Sequence, residues 1–494
     1  MVRQTKVKKA EKEPTPEVVA EMQIDTVTGK KPSLADYIQP SDWYKSFLRK
    51  RDPLEEEPAP ASISVEEQVE GALLSVQNNK FNVKAWELIF EHLPNKKVAD
   101  ARSTYELFFQ TFPTASMQWK AWIEHELAEN NESEAQNLFD RCLRTNLHVD
   151  LWRTYLRFVG EQMRQRSPKE EIEGMIKAFE FVLEHVGYDV DSVSIWGDYI
   201  EFLSGRMQER VASKQGEVER NKTLGHTFKR LFSLPIFGAD KLWDDYLGWK
   251  QEQKPKTGGS HSQVEENYPH VRALASDRHA RYEGLNRNLL CVPMEMATDE
   301  TNLFRAKFRE IFPWECVLHL PDMRPDLWQG YLSFVCQQAV SHGYLWEDYW
   351  IMSGEVLLKQ GAVKEADRLL AAGCEALPGS LNVYLRHARL LEENSEGTQA
   401  ISVLDRAVSR NPRDVRFCIA ALYLRRRVQG PGETRAFYDA SFKTLADLME
   451  NRDGAVAAEK QKVARFYEVV IAMSNMEWKI NKNADEAKRV LLDA

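Results

Sequence analysis

No apolar run in this 494-residue chain approaches the ~18 residues that crossing a membrane requires. Nor does its start carry the charged-then-apolar pattern of a secretory signal. The six cysteines (Cys142, Cys291, Cys316, Cys336, Cys374, Cys418) are scattered without close pairs. That excludes the usual zinc spacings and fits a reducing compartment, the cytosol or nucleus; most read as small core fillers. Positive charge is short as well. A formal net charge of −9 argues against a body that holds nucleic acid mainly through phosphates. Arg425-Arg426-Arg427 is the best local basic patch, although a solvated helix face is the simpler reading. Catalytic patterns are missing: no Gly-x-Ser-x-Gly, no phosphate loop, no histidines four apart. No catalytic, cofactor-binding or metal-binding residue is expected, and the chain is read as a non-enzyme. Strand-like alternation is rare, which favours an all-α fold.

Against this background one pattern stands out. Trp86, Trp119 and Trp152 are each 33 residues apart, and Trp196 and Trp243 follow after 44 and 47. A period of roughly 30 to 40 residues marks a solenoid, in which each unit buries its apolar face only by stacking on its neighbours. Trp119 is followed by Trp122 and Glu126, Trp152 by Tyr155 and Phe158, Trp196 by Tyr199 and Phe202, and Trp243 by Tyr246 and Trp249. These offsets keep the side chains on one helix face. A second pattern comes about 15 residues later, a small residue, three others, then a bulky one and an acid. It reads Ala101, Tyr105, Glu106; Ala135, Phe139, Asp140; Ala400, Leu404, Asp405; and Thr434, Tyr438, Asp439. Each period is therefore predicted to be two antiparallel helices of roughly 12 to 15 residues, joined by polar turns such as Asn130-Asn131-Glu132-Ser133. The expected repeat-packing residues are Trp86, Trp119, Trp122, Trp152, Tyr155, Trp196, Tyr199, Trp243, Tyr246, Trp328 and Tyr331.

Along the chain, residues 1–62 differ from the rest. Met1 to Lys12 carries five basic residues, a candidate nuclear-import signal or a solvated terminus. Leu34, Tyr37, Ile38, Trp43, Tyr44, Phe47 and Leu48 then lie in a Pro- and charge-rich context. The segment is expected to be mostly disordered, with this stretch docking on a partner or on the solenoid itself, or forming a capping helix of the array. Residues 63–255 read as one helical-repeat domain and 256–494 as a second. Lys254-Pro255-Lys256-Thr257-Gly258-Gly259-Ser260 is the strongest linker signal. Pro378 and Pro412, 34 apart, each follow a second-helix pattern. Ala487 to Asp493 looks like the second helix of a last repeat, with an outer face left open.

Aromatic, aromatic, acid on the first helix and small, aromatic, acid on the second resembles the half-a-tetratricopeptide (HAT) repeat. Tetratricopeptide repeats proper want a small residue where Glu126 stands. Several stretches narrow the resemblance to the suppressor-of-forked family, which includes the largest subunit of cleavage stimulation factor. They are Leu147-His148-Val149-Asp150-Leu151-Trp152 with Tyr155, Ser194-Ile195-Trp196-Gly197-Asp198-Tyr199-Ile200, and Leu242-Trp243-Asp244-Asp245-Tyr246. Gly284-Leu285-Asn286-Arg287-Asn288 with Pro293, and Pro325-Asp326-Leu327-Trp328, follow in the same order. The resemblance implies an α-solenoid of HAT repeats in two sub-domains and a homodimer held by the carboxy-terminal one. It also implies a scaffold in pre-mRNA 3′-end cleavage and polyadenylation that joins the downstream-element-binding subunit to the polyadenylation-signal recognition factor. Two departures are visible. The tryptophan-led repeat between Pro293 and Pro325 is shortened, marked only by Phe304 and Phe308. The family's Pro-rich tail, which docks the RNA-reading subunit, is expected to be absent.

The partners implied are protein subunits of the cleavage and polyadenylation machinery, in the nucleus, with RNA touched mostly indirectly. Candidate dimer contacts, chosen by position in the last repeats, are Arg425, Arg426, Phe437, Tyr438, Met473 and Trp478. The rival readings are a HAT scaffold of the spliceosome or of ribosomal RNA processing, and a helical-repeat protein that binds RNA directly.

Overall fold

The computed structural model describes residues 64–205, 214–253, 263–318, 324–450 and 467–492. The amino-terminal basic run, the aromatic stretch from Leu34 to Leu48 and the Lys254–Ser260 segment lie outside them. The chain divides into two units, Met1–Gln68 and Val69–Ala494; of the first, only residues 64–68 are described.

Among the described residues there is no strand. Helix α1 (Val65–Asn78) precedes a first hairpin of α2 (Val83–His92) and α3 (Val98–Thr111). Then follow α4 (Ser116–Ala128) with α5 (Glu132–Cys142), α6 (Val149–Arg164) with α7 (Pro168–Val186), and α8 (Val193–Ser204) with α9 (Lys214–Leu231). The next pairs are α10 (Trp243–Gln253) with α11 (Gln263–Tyr282), α12 (Asp299–Glu315) with α13 (Pro325–His342), and α14 (Glu347–Lys359) with α15 (Val363–Ala376). After α16 (Leu381–Glu393) with α17 (Gly397–Arg410) and α18 (Val415–Val428) with α19 (Pro431–Glu450), α20 (467–475) leads through a π turn, Met476–Ile480, to α21 (Ala484–Leu492). The fold is all-α and built of helix pairs, as the sequence predicts. The helices run from 9 to 20 residues, a wider spread than expected. Glu180 of α7 accepts from Tyr199 of the next pair, at 3.0 Å.

Two local devices set the hairpins. The tight turn inside a pair uses one residue with positive φ just past the first helix: Asn130 (60°), Gly361 (77°) and Ser395 (65°). The following amide reaches back to close the helix, Asn131 to Glu126 O (3.0 Å), Ala362 to Leu357 O (2.9 Å) and Glu396 to Leu391 O (2.8 Å). This satisfies carbonyls that the helix end leaves orphaned. The second helices end differently. Phe112, Leu377 and Asn411 take φ near −124° to −125° with ψ of 67°, 67° and 56°, and each precedes a proline, which disfavours the α conformation. Gly430 (φ 88°) supplies the turn of the Gly430-Pro431-Gly432 stretch, while Pro431 and Gly432 already belong to α19.

Small residues bring the paired helices together. Ala101, Ala135, Ala366 and Ala400 are buried, and a Cβ at Gly373 would stand 3.0 Å from the Trp350 ring. First helices of successive pairs also pack side by side, α4 with α6, α14 with α16 and α16 with α18. A continuous apolar core runs from Ala72 to Leu424, and a smaller one joins Val415, Tyr438, Met473 and Val490 in the last two pairs.

Candidate functional site

For a protein of stacked hairpins the functional geometry lies in what fixes one pair on the next. Four tryptophans do so in one way. The indole N–H of Trp86 donates to Lys80 O (2.9 Å), that of Trp119 to Pro113 O (2.9 Å), that of Trp152 to Asn146 O (2.8 Å) and that of Trp350 to Tyr344 O (3.0 Å). Each acceptor lies six residues earlier, in the turn that enters the helix. The ring fills the groove between helices while its polar edge clamps the incoming turn, so a buried donor is satisfied where it sits. Trp196 reaches nine residues back, to Gly187 O, at 3.0 Å. Of the other residues with this expected role, Trp122, Tyr199, Tyr246 and Tyr331 are buried, whereas Tyr155, Trp243 and Trp328 are half-buried. Trp243 stacks on Tyr268 at 4.2 Å and Trp328 on Tyr331 at 5.6 Å. In the shortened stretch after Pro293, Phe304 and Phe308 lie buried on α12.

Charged side chains repeat at the same interval. Arg141 pairs with Glu106 (2.7 Å), Arg157 with Glu124 (3.1 Å), Arg386 with Glu355, Arg410 with Glu375 (2.6 Å) and Arg427 with Glu392 (2.7 Å). Sequence separations of 31 to 35 place each pair across one seam. Most are solvent-exposed and contribute roughly 0–1 kcal/mol apiece; their role is to hold register. Glu126 is different. It is buried, and its carboxylate accepts from Arg102 (2.8 and 2.7 Å), the Trp122 indole (3.1 Å) and Asn131 (3.0 Å). Burial alone pushes its carboxyl up, but these donors hold it below the usual carboxylate range.

A polar joint lies deep in the second unit. Arg278 and Glu315 form an ion pair at 2.6 Å with side-chain exposures of 0% and 1%. Arg278 also donates to the carbonyls of Tyr188 (2.8 Å) and Pro235 (3.3 Å). Beside it, buried Asp189 accepts from Arg287 and from Gln338 (2.9 Å), and Gln338 in turn accepts from Tyr282 (3.2 Å). Burial pushes the Asp189 carboxyl up, yet the Arg287 charge and hydrogen bonds bring it below the ordinary value. Burial, with the Arg287 charge, holds His342 down to about 3, so that imidazole is neutral. The thiols of Cys142, Cys291, Cys316 and Cys374 are pushed up to about 12 by burial and are protonated at neutral pH. This chemistry locks backbone segments together.

The six residues chosen as dimer contacts are placed unevenly. Arg425 pairs with Asp405 (2.7 Å) and lies over the Phe437 ring at 3.9 Å. Arg426 donates to Asn481. Tyr438 and Met473 are buried in the smaller core, and Phe437 packs against it. Trp478 is 60% exposed, and Ile471, Ile480 and Leu491 are exposed near it in sequence. The arginine triplet is thus not a bare basic patch, because Arg425, Arg426 and Arg427 all have partners within the chain, although Arg427 itself is exposed.

The family model described as Suppressor of forked protein (Suf) matches residues 67–493, nearly all of the second unit. The chain belongs to the suppressor-of-forked family. Within that family it is 30% identical over 226 residues to Protein suppressor of forked of Drosophila melanogaster, covering 46% of this chain and 29% of the fly protein. It is 26% identical over 325 residues to Cleavage stimulation factor subunit 77 of Arabidopsis thaliana, covering 65% of this chain and 42% of the relative. The chain therefore spans less than half the length of either relative. A crystal structure of CstF-77 aligns with a TM-score of 0.42 and 14% identity over 77% of this chain and 81% of the other.

Sequence reasoning missed the polar joint of this family member. Arg287 lies inside the Gly284–Asn288 stretch that carries part of the family resemblance, but its partner Asp189 is 98 residues away. Arg278 and Glu315 sit in helices that carry many other charged residues, so nothing in the local pattern marks these two as the ones that are buried.

Proposed function

We propose that this chain is a non-catalytic scaffold in pre-mRNA 3′-end cleavage and polyadenylation. In this reading it acts in the nucleus as a homodimer, with an amino-terminal HAT domain over 63–255 and a carboxy-terminal one over 256–494. It joins the subunit that binds the downstream element to the factor that recognises the polyadenylation signal. The observation that carries the reading is an array of helix pairs fastened seam by seam, in a chain whose family includes a relative named for cleavage stimulation. Its mechanism is geometric: two partners held on one stiff body raise each other's effective concentration, by up to ~10²–10⁴ in avidity. The net charge of −9 and the internal pairing of Arg425 to Arg427 favour indirect contact with RNA.

Affinity purification of the tagged full chain from nuclear extract, followed by mass spectrometry, tests this. Polyadenylation factors are expected among the partners. Recovery of splicing or ribosome-assembly factors in their place overturns it.

A further inference from the structure

A cleft of about 440 Å³ opens between the turns around Thr114 and Leu147 and helices α13, α14 and α15. Its volume falls in the roughly 300–1,000 Å³ range of ligand sites. The floor is apolar, with Leu147, Val340, Leu357 and Leu369 among the lining residues. Arg144, in the turn that leads to Leu147, and Arg368, on α15, both line it. Both are exposed, and neither side chain has an ion pair or hydrogen bond among the described residues. That sets them apart from their neighbours. Arg141, three residues before Arg144, is held by Glu106, and Arg386 on the following helix is held by Glu355. Glu365 lines the same cleft. Its Oε1 accepts from Gln329 at 3.4 Å, while its Oε2 is buried without a partner.

We propose that this cleft is a docking site for a short extended peptide of a partner protein, one that carries an apolar side chain between acidic residues. Each element of the cleft asks for one feature of that ligand. The leucine and valine floor takes an aliphatic anchor. The two unpaired guanidiniums take carboxylates on either side of it. A short extended peptide suits the cleft because its side chains alternate between floor and rim. A single RNA strand meets these demands less well. Its bases want aromatic platforms, and the lining offers little: Trp350 is 4% exposed, and Tyr344 is half-buried with its ring edge-on to Trp350 at 5.9 Å. A net charge of −9 also repels a polyphosphate more than a few carboxylates.

The test is fluorescence anisotropy with the full chain at low salt. The probe is a fluorescein-labelled peptide with a central leucine flanked by aspartates. Companion peptides carry glycine for leucine, or lysines for aspartates, and an oligouridylate of equal length serves as competitor. Saturable binding is expected for the leucine–aspartate peptide alone, unaffected by the oligouridylate. Arg144→Glu and Arg368→Glu should each weaken it by roughly fivefold or more, with far-UV circular dichroism unchanged because both side chains are exposed. No binding at millimolar peptide overturns the proposal, and so does equal binding of the glycine peptide. Retention of affinity in the doubly reversed chain, or displacement by the oligouridylate, sinks it as well.

Discussion

Asp189 is buried, yet it keeps its charge because Arg287, Gln338 and the Asp191 amide (2.9 Å) all donate to it. Removing a charge from water costs several kcal/mol, and only such complete pairing offsets it. The sign of its pH dependence follows. With a folded value below the ordinary one, the unfolded chain takes up the proton first on acidification. Its stabilisation is therefore full above the unfolded value near ~4 and is lost as pH falls through the folded value. Asp189→Asn leaves Arg287, whose side chain is 16% exposed, with an amide in place of its buried partner and only the exposed Asp191 carboxylate (2.7 Å) to pair with. We expect a loss of about 3 kcal/mol at pH 7, read as a lower thermal midpoint. Below about pH 4 the gap between variant and wild type should narrow; a gap that widens in acid contradicts the assignment.

At the scale of one helix pair, the tryptophan clamp combines two contributions that substitution can separate. Trp119→Phe keeps most of the buried ring, which stacks on Phe109 at 3.7 Å, but loses the donor to Pro113 O. It should cost about 1 kcal/mol. Trp119→Ala also empties the groove and should cost about 3–5 kcal/mol. Because each pair leans on its neighbours, the damage is local. Hydrogen exchange is expected to quicken in α3, α4 and α5 while α14 to α18 keep their protection. Uniform loss of protection along the chain would show that the pairs do not behave as nearest-neighbour units.

Across the whole molecule, the exposed apolar residues of α20, the π turn and α21 bear on the proposed homodimer. Light scattering of the purified chain at micromolar concentration should give twice the 57.1 kDa of one copy. Trp478→Glu places a charge where a 60% exposed indole now stands and should return that mass to a single copy without unfolding it. A single-copy mass for the unaltered chain removes the dimer from the model of function.

Much of the architecture was legible in advance because it is written in local spacing. Aromatic residues three and six or seven apart share a helix face wherever the chain goes, and small residues one helix later mark close approach. Prolines after Phe112, Leu377 and Asn411 end second helices through sterics confined to two residues. The glycine and asparagine that close first helices act over a similarly short range. The buried joint and the cleft are of another kind. Arg287 meets Asp189 across 98 residues, and Gln338 meets it across 149. The worth of such contacts depends on desolvation and on proximity in space, neither of which leaves a period in the chain. Sequence alone settled that helices pair and stack; the tertiary structure decided which charges are sealed inside, and which arginines among the described residues stand unpaired at the surface.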